Sequence, residues 1–117
     1  MAVTLHASGT IDTTGQIGVE LTVVSIAIAG VFTVHIDFDA LAAGDVLERY
    51  VKRKVLAGDA VGNLIEPDVL YGAQTLKPKW ESDVLGNDLV EADAVKVTIK
   101  QTFGAGRLLP WKVQRYV

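Results

Sequence analysis

The sequence predicts an all-β chain, a single antiparallel β-sandwich or jelly-roll-like barrel spanning residues 1–117. Three observations carry this expectation. Several short runs alternate apolar and polar residues with period two, as half-buried strands do. Clusters of Gly, Asp, Thr and Pro separate the runs at short spacing. The chain has 117 residues, half of them hydrophobic, which suits one two-layer domain and leaves no room for a second.

In chain order, Thr4–Ile11 and Gln16–Val24 read as strands around the turn Asp12-Thr13-Thr14-Gly15. The uncharged stretch Leu21–Val34 is rich in β-branched residues and interrupted by Ser25, Gly30 and Thr33. It reads as two buried strands and falls short of the roughly 18 residues of a membrane helix. Val31–Asp39 puts Phe32, Val34, Ile36 and Phe38 on one face and Thr33, His35, Asp37 and Asp39 on the other.

Asp45–Val55 is two-sided. Asp45 as N-cap, Glu48 closing a capping box and Gly58 beyond the end describe a helix. A strand aligns Leu47, Val51 and Val55 but must also place Arg49 and Arg53 on that face. Local rules favour the helix slightly; the surrounding strands favour the strand.

The middle is less regular. Leu64-Ile65-Glu66 and Val69-Leu70-Tyr71 read as strand, with Pro67 confining them to an edge or bulge. Leu76–Val84 reads as a further strand, and Leu85–Asp88 and Glu91–Asp93 as turns. Ala94–Phe103 turns Val95, Val97 and Ile99 inward and Lys96, Thr98 and Lys100 outward. Leu109–Val117 alternates again, with Arg115 breaking its apolar face. Gly104-Ala105-Gly106-Arg107 between these two strands reads as a hairpin connection.

Composition limits function more than it reveals it. A net charge of −3 and a pI near 5.2 argue against a protein that grips nucleic-acid backbone. The absence of cysteine removes disulfides, thiol chemistry and cysteine zinc sites. The N-terminus lacks a basic segment followed by an apolar one, so no secretory signal is expected, and the protein is expected to be soluble and made in the cytoplasm. The mean hydropathy of +0.32 exceeds what a small monomer needs, which suggests apolar surface kept for a partner.

No catalytic, cofactor or metal site is expected. Asp37, Asp39 and Asp45 are oxygen ligands of the kind calcium uses, but no EF-hand spacing surrounds them. His6 and His35 lack a third zinc ligand nearby in sequence. Ser8, Ser25 and Ser82 lack a nucleophile-elbow context, and the glycine-rich stretch lacks a phosphate-loop ending. The basic run Lys52-Arg53-Lys54 and the cluster Lys77, Lys79, Trp80 fit solvated faces or a protein contact.

Two segments resemble small structural proteins of tailed bacteriophages. One is Phe38–Gly58 with its Leu41-Ala42-Ala43-Gly44-Asp45 turn; the other is Asn87–Tyr116, with Val95–Lys100, Gly104–Arg107 and Pro110-Trp111-Lys112-Val113. The resemblance implies a virion component at the capsid surface, a head decoration or cement protein without enzymatic activity. Its implied partners are the major capsid protein and further copies of itself, as dimer or trimer, with neither nucleic acid nor membrane. Trp80, Trp111 and Tyr116 are then expected as packing or interface anchors, and Arg53, Lys54, Arg107 and Arg115 as polar contacts. The alternatives are a tail, baseplate or neck component, a sugar-binding sandwich using Trp80 or Trp111, and a metal-dependent hydrolase using His6, His35, Asp37 and Asp39.

Overall fold

The structure is a computed structural model describing residues 2–63, 68–75 and 78–117. Alternating, β-branched segments become strands where expected: β1 (Val3–Asp12), β2 (Glu20–Ile26), β3 (Gly30–Asp37) and β4 (Val46–Arg53). Short strands follow, β5 (Gly62–Asn63), β6 (Asp68–Tyr71), β7 (Lys79–Glu81) and β8 (Leu85–Asn87), before the long β9 (Val95–Phe103) and β10 (Leu108–Tyr116). The two-sided segment is therefore strand. The proposed strand Leu64–Glu66, Pro67 and the pair Leu76 and Lys77 lie outside the described residues.

The strands form two antiparallel sheets. Sheet A runs β1-β10-β3, with β7 and β8 sharing the far side of β3; sheet B runs β2-β9-β4, with β5 and β6 sharing the far side of β4. Among the described strands six of the nine connections change sheet, and this interleaved order is jelly-roll-like. Two sequence expectations change as a result. Gly104–Arg107 is not a hairpin: it carries the chain from β9 in sheet B to β10 in sheet A. Leu85–Asn87, read as a turn, is the edge strand β8, paired to Gly30–Phe32.

The core lies between the sheets. Phe32, Val34, Ile36, Leu109 and Val113 of sheet A meet Leu47, Val95, Val97 and Ile99 of sheet B, each almost wholly buried. Removing a side chain of this kind costs about 3–5 kcal/mol for a phenylalanine, through lost burial and the cavity left behind.

Three β-bulges interrupt the period-two pattern. Val23 is the extra residue of β2, which lets Leu21 and then Val24 and Ile26 all face inward. His6 is the extra residue of β1, and Thr102 of β9 against β4. Past a bulge the faces exchange. Hence Val3 and Leu5 stand opposite Tyr116 and Gln114 on the outer face, while Ala7 stands opposite the buried Val113.

A buried polar network ties the crossovers together at one end of the sandwich. Asp45, 2% exposed, accepts from Arg107 Nε at 2.7 Å and Arg107 Nη2 at 3.2 Å. It also accepts from the amides of Ala42 (2.9 Å) and Ala105 (3.3 Å). The Thr13 hydroxyl donates to Gln101 Oε1 at 2.6 Å and accepts from the Arg107 amide at 2.7 Å. Gln101 Nε2 donates in turn to the carbonyls of Phe103 and Ala105. The turn after β3, the crossover after β1 and the crossover after β9 are thereby joined. Gly104 lies at φ +105°, and a Cβ there would collide with the Asp45 carboxylate and sit 2.8 Å from its Cα. A Cβ on Gly106 would enter Thr14. Both glycines are thus required by the close approach of Asp45 and Thr14, with no hairpin involved.

The Asp45 carboxyl is held below the ordinary aspartate range chiefly by the Arg107 guanidinium, against the opposing effect of burial. Lys52 lowers Glu20 and Lys79 lowers Asp37 in the same way. Such groups bind fewer protons folded than unfolded. Their stabilisation is complete above the unfolded carboxylate values of about 4 and is lost as pH falls through the lower folded values. Stability in urea should therefore decline below about pH 4, and Asp45→Asn should flatten that decline. At neutral pH, Asp45→Ala should lower stability, because it removes the acceptor of Arg107 and of the Ala42 and Ala105 amides. Gly104→Ala should cost about 2 kcal/mol through backbone strain. Urea unfolding followed by circular dichroism measures all three.

Candidate functional site

The two outer faces differ in kind. On sheet B, Glu20, Lys100 and Glu48 stand opposite one another across β2, β9 and β4, and Lys52 reaches Glu20 at 2.8 Å. Thr98 donates to the same carboxylate at 3.1 Å, and the Tyr50 hydroxyl donates to Glu48, which pushes the phenol up to about 12. This face satisfies its own charges. Its exception is one corner, where the Thr102 bulge turns Phe103 outward opposite Val46 and Tyr71. Phe103 and Tyr71 are 66% and 72% exposed.

On sheet A the outer face divides in two. Toward the chain termini, Val3, Tyr116 and Val31 form one cross-strand row, and Leu5, Gln114 and Thr33 the next. Val3 and Leu5 are 50% and 64% exposed, and no formal charge lies in either row. Thr33 is buried beneath its neighbours, bonded to the Tyr116 hydroxyl at 3.3 Å and to His35 Nε2 at 3.1 Å. The other half is polar, with the row Ser8–Lys112–His35–Glu81 and, beyond it, the pairs Thr10–Pro110 and Asp37–Lys79. An open cleft of about 400 Å³ lies here, lined by His35, Asp37, Glu81 and Lys112 of these residues, and also by Trp80 and Trp111. His35 Nε2 lies 3.8 Å from Glu81, and Asp37 is paired to Lys79.

The expected interface residues divide between surface and interior. Tyr116 belongs to the outer face of sheet A. Lys54 is half-buried and paired to Glu91 at 3.4 Å, and Arg53 ends β4 beside a broad cleft with Gly30, Val31 and Asn87. Trp111 and Trp80 flank Ile36 on the inner face of sheet A and pack against the core. Trp111 covers Gly9, whose added Cβ would lie 3.0 Å from the ring. One face of Trp80 is occupied by the Arg49 guanidinium, 4.0 Å from the ring centroid. Arg49 is the charge that the strand reading forced inward. It is paired there to Asp68, and burial holds its pKa down. Arg107 closes the crossover network, and Arg115 lies over Phe32 while its Nη2 donates to the Ala29 carbonyl at 3.1 Å. These five residues hold the fold together.

The metal-hydrolase constellation does not assemble. His6, at the bulge, packs edge-on to Phe32 at 5.2 Å, whereas His35 lies on the opposite face of sheet A. Among the described residues no group of three or more His, Asp or Glu side chains is placed to hold a metal ion. Trp80 and Trp111 are partly buried and packed against the core, so neither ring is fully free as a stacking platform.

Sequence reading passed over Val3, Leu5, Phe103 and Tyr71 as surface residues. A bulge has no compositional signature, so alternation alone assigns such residues to the wrong face. In comparisons with family models, curated proteins and solved structures, the chain matches none.

Leu5→Ser should leave the urea midpoint nearly unchanged, within about 0.5 kcal/mol, because Leu5 contributes little to the core. The same substitution should reduce binding of an apolar fluorescent dye by the folded protein. A large loss of stability would instead place Leu5 in the core.

Proposed function

We propose that this chain is a structural protein of a tailed-phage virion, a head decoration or cement protein that lies across neighbouring capsid subunits. The observation that carries the reading is the uncharged half of sheet A, where Val3, Leu5, Val31 and Tyr116 line a sheet face with no covering layer. Exposed apolar groups gathered on one face support a contact with another protein. The resemblance of Phe38–Gly58 and Asn87–Tyr116 to small phage structural proteins supports the same reading. So does the mechanical character of the fold: two sheets stitched at their crossovers form a stiff plate. A plate adhering to two subunits adds its own contact energy to the work of separating them, which resists the outward pressure of packaged DNA. A place in the tail, baseplate or neck uses the same adhesive face on a different surface.

The test is to purify particles lacking the protein, add it back and measure the temperature at which the heads release DNA. Rebinding with a higher release temperature, and loss of both on Leu5→Lys with Val3→Lys, is the expected result. No binding to heads, with binding to tails instead, would move the protein to the tail. Binding to neither would remove the virion reading.

A second reading is favoured by Phe103 and Tyr71, exposed on either side of Val46 at about 10 Å, two strand spacings. Two rings so spaced suit stacking on alternate sugar units of an extended oligosaccharide, the binding-module alternative moved from the tryptophans to this corner. Calorimetric titration with oligosaccharides should then show binding that Phe103→Ala abolishes; heat unaffected by that change would exclude it.

A further inference from the structure

The free edge of sheet A is β1, and its backbone carries a pattern that matches itself. Ala2 exchanges both hydrogen bonds with Val117, each at 2.9 Å. In an antiparallel ladder the next residue turns its N–H and C=O away from the partner, so Val3 and then Leu5 direct theirs to the open edge. The bulge at His6 inserts one residue, so beyond it Ser8 and Thr10 do the same. The donors and acceptors on the open edge therefore occur at residues 3, 5, 8 and 10, with spacings of two, three and two.

That spacing reads the same in both directions. A regular strand offers two, two and two, and falls out of step with β1 at the bulge. A second β1, run antiparallel, stays in step throughout. We infer that β1 is a homodimer interface, in which β1 of a second copy pairs antiparallel about a twofold axis between His6 and Ala7. Val3 then exchanges bonds with Thr10 of the second copy, and Leu5 with Ser8 of the second copy. Each pairing recurs by symmetry, as an isologous contact requires. The two A sheets become one continuous sheet, and their uncharged rows lie on the same face.

Charge points to the same occupant. From Val3 to Ile11 the strand carries no Lys, Arg, Asp, Glu or Pro, the devices by which exposed edges are usually kept from pairing. Pairing β1 with itself brings no like charges together. The other described edges differ: β7 is three residues long with Lys79 and Glu81, β6 is four residues long and begins with Asp68, and β2 begins with Glu20.

The inference rests on the backbone of β1 and does not require the virion reading. A dimer without affinity for phage heads would leave it intact, and head binding by a monomer would overturn it alone. Sedimentation equilibrium of the full chain should give about twice 12.5 kDa. A single-chain mass up to submillimolar concentration, or a trimer, would overturn the inference. Ser8→Pro removes an edge N–H that sheet A does not use, so it should give a folded monomer with an unchanged β-type circular-dichroism spectrum. A folded Ser8→Pro dimer would contradict the pairing. The register is tested in a variant that needs no lost bond: Leu5→Cys together with Ser8→Cys, oxidised and digested, should yield a cross-linked peptide joining the two positions between chains. A dimer without that cross-link would also overturn the assignment.

Discussion

The ion pair of Asp45 with Arg107 is the contact on which this arrangement of sheets depends. The chain changes sheet at most of its connections, so its loops must bridge the layers while their backbone groups leave water. Here the turn before β4 supplies a buried carboxylate and the crossover after β9 supplies the guanidinium and an amide that satisfy it. Thr13 and Gln101 extend the network to the crossover after β1. A buried carboxylate is costly unless paired and hydrogen-bonded, so each of these connections is needed for the others to adopt their path. One contact thus joins the Gly44-Asp45 turn before β4 to the Gly104–Arg107 crossover after β9.

The second constraint is parity. Each bulge decides which side chains are spent on the core and which remain outside. At Val23 the extra residue adds apolar groups to the interior. At His6 and Thr102 it does the reverse, leaving Val3, Leu5 and Phe103 on the surface. Part of the exposed apolar surface is thus placed by the bulges on the terminal half of sheet A and a corner of sheet B. Sheet B's remaining outer face neutralises its own charges, which suits contact with water. The two outer faces of the sandwich therefore differ in character, and the proposed virion role draws on that asymmetry.

Much of the fold was legible in the sequence. The alternation in Val31–Asp39, Ala94–Phe103 and Leu109–Val117 identifies β3, β9 and β10, because each is central in its sheet and must bury one whole face. The difficulty of placing Arg49 on an apolar face was real, and the structure resolves it with Trp80 and Asp68, neither of them near it in sequence. What was not legible depends on distant contacts. A glycine pair before an arginine looks the same in a hairpin and in a sheet-to-sheet crossover; only the position of Asp45 distinguishes them. The same holds for Arg107, Arg115 and the tryptophans, which are partly exposed and whose contacts within the fold come from residues distant in sequence. β8 went unrecognised because an edge strand of three residues needs a neighbour more than a pattern.

A double-mutant cycle of Asp45→Asn with Arg107→Gln, read by urea unfolding, addresses the stitched crossover most directly. If the pair is the buried contact described, the double variant will be clearly more stable than the sum of the two single losses predicts, since no charge is then left buried alone. Strict additivity, with each residue contributing independently, would show that the two are not coupled and that something else holds the sheets in this order.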